Sequence, residues 1–80
     1  MKIPRDLSGQ DLIKYLKPYG YIVTPQSGSH LRLTTTRNGQ YHITIPNHDP
    51  LKIGNFSAII ADIAEHFAKT KDQLLQETFG

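Results

Sequence analysis

Two segments of alternating residues, separated by a short polar loop, constrain the fold more than any other part of the chain. "HLRLTTT" covers residues 30–36 and "YHITI" covers residues 41–45, with "RNGQ" between them. Apolar and polar side chains alternate with a period of two in both segments, which is typical of β-strands that are buried on one face. The sequence therefore predicts a β-hairpin in the middle of the chain.

The length of the hairpin loop decides which residues face each other. A two-residue turn would place Leu33 opposite Thr44, and apolar and polar side chains would then be mixed on each face. A three-residue loop at 37–39 instead pairs Leu33 with Ile43. We therefore predict the longer loop, with Gly39 in the left-handed conformation.

This register divides the side chains of the hairpin between two faces. An apolar face is predicted for Leu31, Leu33, Tyr41, Ile43 and Ile45. The opposite side, called the polar face below, is predicted to contain His30, Arg32, Thr34, His42 and Thr44. An antiparallel sheet can leave one side in solvent, so the polar face is a first candidate for function.

The segments around the hairpin carry helix and strand signals. Ser8 and Asp11 have the spacing of a capping box, which predicts a helix that begins at residue 9. Pro18 and Gly20 should stop this helix, so its predicted range is about 9–17. The aromatic and β-branched residues of 21–26 predict a further strand, and Pro25 marks it as an edge strand because proline cannot donate to a central ladder.

Two helices are predicted after the hairpin. Asn55 is the expected cap of the longer one, whose apolar positions recur at helical spacing: Phe56, Ile59, Ile60, Ile63, Ala64 and Phe67. Thr70 begins a second capping motif and predicts a short helix over about 71–78. The expected fold is an α+β domain of order αβββα, with helices on one face of a three-stranded antiparallel sheet and a short extra C-terminal helix.

Length and composition limit the other possibilities. The 80 residues are expected to form one domain over 1–80, with a small core. The absence of cysteine excludes a disulfide scaffold and a thiolate zinc site. The start "MKIPRDLSGQ" has no apolar signal region, and no segment approaches a membrane span, so a soluble cytoplasmic protein with no membrane partner is expected.

The charge is distributed unevenly along the chain. The formal net charge is +2, and the last third, residues 56–80, has more acidic than basic residues. A polyanionic partner should therefore meet the first two thirds. Surface lysines more often only solvate a helix, so charge alone is a weak argument for nucleic-acid binding.

Three histidines lie in the cationic part of the chain. His30 follows Gly28-Ser29, His42 belongs to the polar face, and His48 lies in a loop between two prolines. An imidazole can exchange protons near neutral pH, although an exposed histidine without a role is the common case. No metal-binding motif accompanies them and no nucleotide-binding glycine loop is present, so neither a metal nor another cofactor is expected.

The residues taken together resemble a known family. "GSHLRL", then a hairpin, then "ITIPNHDPLKIGNFSAII" is similar to the HicA (YcfA-like) family of small toxins, and the likeness spans about residues 7–67. The family commonly has Gly-Thr-Leu at the start of its last main helix, where this chain has Gly54-Asn55-Phe56.

The resemblance implies a double-stranded-RNA-binding-domain-like fold and a specific activity. It implies an mRNA endoribonuclease (mRNA interferase), the toxin of a type II toxin-antitoxin pair, which cuts RNA and is inhibited by a HicB-like antitoxin. His30 would be the catalytic residue. The residues expected to bind RNA are Gly28, Ser29, Arg32, His42, His48 and Lys52. Among these, His48, Lys52 and Arg32 are candidates for a second catalytic group because of their charge and expected nearness.

Two other functions remain open at the level of sequence. A non-catalytic module could bind double-stranded RNA by shape with the same fold and basic residues. A protein-interaction domain without RNA function would suit the modest net charge.

Overall fold

The computed structural model describes residues 6–24 and 28–80, and it is an α+β fold. Its elements are α1 (Gly9–Leu16), a 3-10 turn (Lys17–Tyr19), β1 (Ile22–Thr24), β2 (His30–Thr35), β3 (Tyr41–Pro46), α2 (Ile53–His66) and α3 (Lys71–Phe79). The predicted order αβββα with an added C-terminal helix is confirmed. The end of the predicted first strand, at residues 25–26, lies outside the described residues.

The sheet has the order β1-β2-β3, and both pairs of strands are antiparallel. Leu33 pairs with Ile43 and Leu31 pairs with Ile45, so the predicted register of the hairpin is confirmed. Gly39 has a φ of 95° and is preceded by Asn38 with a φ of 56°, the left-handed backbone that such a loop requires.

Both predicted capping boxes are present. The Ser8 hydroxyl accepts a hydrogen bond from the amide of Asp11, and the Asp11 carboxylate accepts one from the amide of Ser8. These hydrogen bonds lower the pKa of Asp11. Thr70 and Gln73 make the equivalent reciprocal contacts at the start of α3. Each box satisfies backbone N–H groups that a helix start would otherwise leave unpaired.

The predicted start of α2 was wrong. The helix begins at Ile53 with Lys52 as its N-cap, and no side chain caps it. The buried Leu51 donates its amide to the carbonyl of Leu7 at 2.8 Å, which turns the chain into the helix before Asn55 is reached. Asn55 therefore lies inside the first turn of α2 and does not cap it.

The helices cover the apolar face of the sheet. Leu33 and Ile45 of the sheet, Leu12 and Leu16 of α1, and Ile60, Ile63 and Leu74 of the other helices are almost completely buried together. Burying one such side chain contributes roughly 1.5–3 kcal/mol relative to leaving it exposed. All the predicted stripe residues of α2 are buried except Phe67, which packs against the core in a partly buried position.

The C-terminal end of α2 is fastened to the hairpin loop. His66 Nε2 lies 3.0 Å from the carbonyl of Arg37 and 3.1 Å from that of Gly39, so this nitrogen must carry the proton and donate. Asn38 donates its side-chain amide to the carbonyl of His66 at 2.7 Å. The His66 ring also stacks on Tyr41, with ring centroids 4.6 Å apart. These contacts hold the hairpin in place against the helical layer.

Two tyrosines next to this contact differ in their hydroxyl partners. Tyr41 donates to the carboxylate of Asp62, and this hydrogen bond raises the pKa of Tyr41. Tyr21 is 2% exposed, and its hydroxyl has no hydrogen-bond partner among the described residues. Burial is the main reason that the pKa of Tyr21 is raised to about 12, and Asp62 and Tyr41 raise it further.

Tyr21→Phe should therefore become more stable than the wild type as the solution becomes alkaline. The unfolded chain ionises Tyr21 near its ordinary pKa of about 10, whereas the folded chain keeps the proton until about pH 12. Rising pH in this window favours the unfolded wild type, and the variant lacks this effect. Urea unfolding at pH 8, 10 and 11 measures the difference.

Tyr41→Phe should instead be less stable than the wild type at pH 8, because it leaves the carboxylate of Asp62 without its hydrogen-bond donor. We expect a loss of roughly 0.5–1.5 kcal/mol at pH 8. A constant stability difference between Tyr21→Phe and the wild type from pH 8 to 11 would contradict the prediction for Tyr21.

Candidate functional site

The Gly-Ser-His segment forms the entry to β2. Gly28 has a φ of 99°, a conformation that favours glycine; it is exposed, and a Cβ added there would meet no atom of the described residues within 4 Å. Ser29 follows, and His30 is the exposed first residue of the strand. The Ser29 hydroxyl lies 3.5 Å from His30 Nδ1, which is a long contact. The segment therefore presents the imidazole to solvent from a defined backbone position.

A second segment, residues 46–52, lies beside His30. His30 pairs with Pro46 across the sheet, and the amide of Asn47 donates to the carbonyl of Ser29 at 2.8 Å. His48 is the next residue and is exposed. The backbone thus brings His30 and His48 to the same end of the sheet.

The other side of this segment is held by the start of α1. The amide of Gly9 donates to the carbonyl of His48 at 3.0 Å. Gly9 approaches so closely that a Cβ at this position would lie 2.5 Å from the carbonyl oxygen of Pro46. The His48 loop is therefore positioned by β2 on one side and by α1 on the other.

Lys52 lies at the end of the same segment and precedes the first turn of α2. Its side chain is exposed, and it forms no ion pair within the described residues. The segments at this end of the sheet carry Gly28, Ser29, His30 and His48, and Lys52 follows four residues after His48; we call these five residues the end cluster. It combines two imidazoles, an ammonium group and a glycine-shaped turn.

The remaining two predicted site residues lie on the polar face. Arg32 pairs with Thr44, and Thr34 pairs with His42, so all of these side chains share the solvent side of the sheet. The Thr34 hydroxyl lies 2.7 Å from His42 Nδ1. This hydrogen bond orients the His42 ring on the sheet and leaves Nε2 for another partner. Arg32 and His42 are therefore neighbours of the end cluster and do not belong to it.

The polar face extends onto β1, a feature that was not predicted from the sequence. Ile22 pairs with Thr34 and Thr24 pairs with Arg32, so both side chains point to the same side as the polar face. Ile22 is 70% exposed. An apolar side chain thus lies in solvent beside Arg32 and His42, where an edge strand would more often carry a polar residue.

The charge of the polar face is of one sign. The three strands contain no aspartate or glutamate, and Arg32 takes part in no ion pair within the described part of the chain. Most of the acidic residues of the described chain belong to the helices, including Asp62, Glu65, Asp72 and Glu77. The sheet side is therefore the side that suits a polyanion.

Two negative findings apply to residues 6–24 and 28–80 alone. The described residues contain no group of three or more histidine, cysteine, aspartate or glutamate residues that could hold a metal ion. None of the helices found there is long and apolar enough to span a membrane.

Two positioning residues were missed at the level of sequence. Asn47 connects the His48 loop to Ser29 through its backbone amide, and Gly9 permits the close approach of α1 to that loop. A backbone amide carries no residue-type signal. The position of Gly9 directly after the capping residue Ser8 was visible in the sequence, but its contact with Pro46 depends on the tertiary fold.

Comparison with known families gives a match over most of the chain. The family model described as the HicA toxin of bacterial toxin-antitoxin systems matches residues 9–64. This range contains α1, the sheet, the end cluster and most of α2. No curated protein and no solved structure matches significantly.

Gly9→Ala should destabilise the protein by about 1–3 kcal/mol, because the new Cβ forces the backbone at Pro46 to move. Gly54→Ala is the matched control. Gly54 also lies in the first turn of a helix, but its added Cβ meets nothing within 4 Å, so this variant should gain up to about 1 kcal/mol. Urea unfolding compares the two. Equal stabilisation by both substitutions would show that the Gly9 contact is unimportant.

Proposed function

Because the chain belongs to the HicA toxin family of bacterial toxin-antitoxin systems, we propose that it is an endoribonuclease that cuts mRNA in the cytoplasm, with His30 as its catalytic residue. One observation supports this proposal above all others. His30 is exposed at the start of β2, the backbone before it is held by the Asn47–Ser29 hydrogen bond, and His30 itself pairs with Pro46 in the sheet. A fixed backbone and a solvent-facing imidazole suit proton transfer with a bound substrate.

The proposed reaction begins at the ribose 2′-OH of the RNA. His30 removes the proton of this hydroxyl, and the 2′-oxygen then attacks the adjacent phosphorus. The bond between phosphorus and the 5′-oxygen of the next nucleotide breaks, and that oxygen takes up a proton. The products are a 2′,3′-cyclic phosphate and a free 5′-hydroxyl. The attacking nucleophile is part of the RNA itself, so this scheme does not call on a metal-bound water.

A second group is needed to protonate the leaving oxygen or to stabilise the pentacoordinate phosphorane. His48 and Lys52 share the end cluster with His30, whereas Arg32 lies two residues further along β2. An imidazole can supply the proton, and a cation can stabilise the developing negative charge. We therefore place His48 ahead of Lys52 for proton donation and assign Lys52 and Arg32 to the phosphate oxygens.

Gly28, Ser29 and His42 complete the proposed RNA contacts. The Gly28 turn lets a phosphate approach the backbone closely, and the Ser29 hydroxyl is exposed for hydrogen bonding. A HicB-like antitoxin is the proposed inhibitor. A partner that covers the end cluster with an acidic surface would exclude RNA and would complement the cations there.

The alternative is a non-catalytic module that binds double-stranded RNA. One feature favours it: within the described residues His30 has no carboxylate or carbonyl partner to orient its ring, and its contact with Ser29 is long. A histidine without such an orienting partner is a weaker general base. The two functions differ in whether RNA is cut at all.

His30→Gln should abolish cleavage of a long RNA, with a loss of about 10²–10⁴ in rate, because it removes the general base and keeps a side chain of similar size. The assay uses purified protein in EDTA and identifies the 3′ ends of the fragments. His66→Gln is the matched control. It changes a histidine at the opposite end of the sheet and keeps an N–H donor for the carbonyls of the hairpin loop.

Retained cleavage in His66→Gln and cyclic phosphate ends from the wild type are the expected results. Circular dichroism establishes that each variant is folded. Equal cleavage by His30→Gln and the wild type would contradict the assignment of His30. Binding of duplex RNA by a folded wild type that never cuts would support the alternative.

A further inference from the structure

We propose that the polar face, together with Ile22 and Thr24 of β1, is a binding track for single-stranded RNA that leads to His30. This inference rests on the proposed function and names the form of its substrate. The track consists of seven side chains on the solvent side of the sheet: Ile22, Thr24, His30, Arg32, Thr34, His42 and Thr44. Its occupant is an unpaired RNA segment that lies along β2 on the solvent side of the sheet.

The length of the track suits more than one nucleotide. His30, Arg32 and Thr34 are alternate residues of β2, so successive side chains on this face are about 6.6 Å apart and the row is about 13 Å long. His42 lies across from Thr34 at the far end. A strand cut at His30 would therefore have neighbouring nucleotides beside Arg32 and His42.

The chemistry along the track is that of single-strand recognition. Unpaired bases stack on aromatic rings and on the guanidinium plane of arginine, while cations follow the phosphates. The Arg32 guanidinium is available for either role, and the His42 ring is held in one orientation by Thr34. Ile22 adds an exposed apolar surface on which a base can pack. The threonines between these groups are small and leave room for bases to lie against the sheet.

Duplex RNA fits this face less well. Its bases are stacked and paired, so the duplex would offer Ile22 and His42 only its backbone and groove edges. The proposed reaction also favours unpaired RNA, because the 2′-oxygen must approach the phosphorus from the side opposite the leaving 5′-oxygen. An unpaired nucleotide rotates into that alignment more readily than one held in a helix.

The helical side of the molecule is the alternative surface for a duplex. Lys14, Lys17 and Lys71 are exposed there, but a larger set of carboxylates lies on the same layer: Asp11, Asp62, Glu65, Asp72 and Glu77. The strands of the sheet carry the cation Arg32 and two histidines and have no carboxylate. Electrostatic complementarity therefore favours the polar face.

Substitutions of Thr44 test the track, because Thr44 is exposed and lies opposite Arg32. Thr44→Glu should weaken binding of single-stranded RNA about tenfold or more, since the carboxylate opposes phosphate and pairs with Arg32. Thr44→Lys should strengthen it. Ala61→Glu is the matched control, because it adds the same charge at an exposed position of α2 and should change affinity less than about twofold.

Binding is measured by fluorescence anisotropy at fixed salt concentration. The two probes are a labelled single-stranded RNA whose sequence forms no hairpin and the same RNA annealed to its complement. The His30→Gln background keeps the RNA intact during the measurement. Cleavage is measured in parallel with His30 present, where Thr44→Glu should raise KM and leave kcat nearly unchanged. Thr44→Glu should weaken RNA binding and Thr44→Lys should strengthen it. Damage to the fold would weaken binding in both variants, so the two results distinguish a charge effect from such damage.

The outcomes separate the track from the proposed function. Tighter binding of the unpaired RNA, with the expected signs at Thr44, would support the track. If the wild type cuts RNA but Thr44→Glu binds as well as Ala61→Glu, or the duplex binds more tightly, the track is overturned and the ribonuclease assignment stands. If a folded wild type neither cuts nor binds either RNA, both proposals fail.

Discussion

The pairing of Leu33 with Ile43 is the constraint on which the rest of the structure depends. Side chains alternate along a strand, so a slip of one residue between β2 and β3 would mix apolar and polar side chains on each face and bury either Arg32 or His42. Such a slip would remove the surface against which α1 and α2 pack. It would also separate His30 from Pro46 and therefore from the His48 loop. The same register thus determines both the core and the arrangement of the candidate site.

A few backbone hydrogen bonds convert this register into a site. The amide of Asn47 reaches the carbonyl of Ser29, and the amide of Gly9 reaches the carbonyl of His48. These bonds connect β2, the His48 loop and α1 at one end of the sheet. At the other end, His66 and Asn38 fasten α2 to the hairpin loop. The residues of the end cluster are exposed, although the hydrogen bonds of Asn47 and Gly9 fix the backbone of the segments that carry His30 and His48.

Local signals were sufficient to predict most of the fold. The capping boxes at Ser8 and Thr70, and the alternation in the hairpin, depend on residues that are near one another in the sequence. The start of α2 was mispredicted because the contact between Leu51 and Leu7 is tertiary and outweighs the capping preference of Asn55. His30 became a candidate through the Gly-Ser-His motif, and its catalytic role stays a prediction. The exposure of Ile22 beside Arg32 could not be predicted, because it depends on the pairing of β1 with β2.

The alternation of the sheet also separates the demands of stability from those of function. Leu33, Ile43 and Ile45 are buried against the helices, whereas Arg32, His42 and Thr44 lie in solvent on the same strands. Changes on the polar face therefore alter charge and shape with little effect on core packing, since the two sets of side chains do not touch. A small domain cannot bury much surface, so its stability depends on every core contact. The proposed RNA surface lies on the opposite side of the same strands, so under this proposal RNA affinity and susceptibility to an acidic inhibitor can change without loss of the fold.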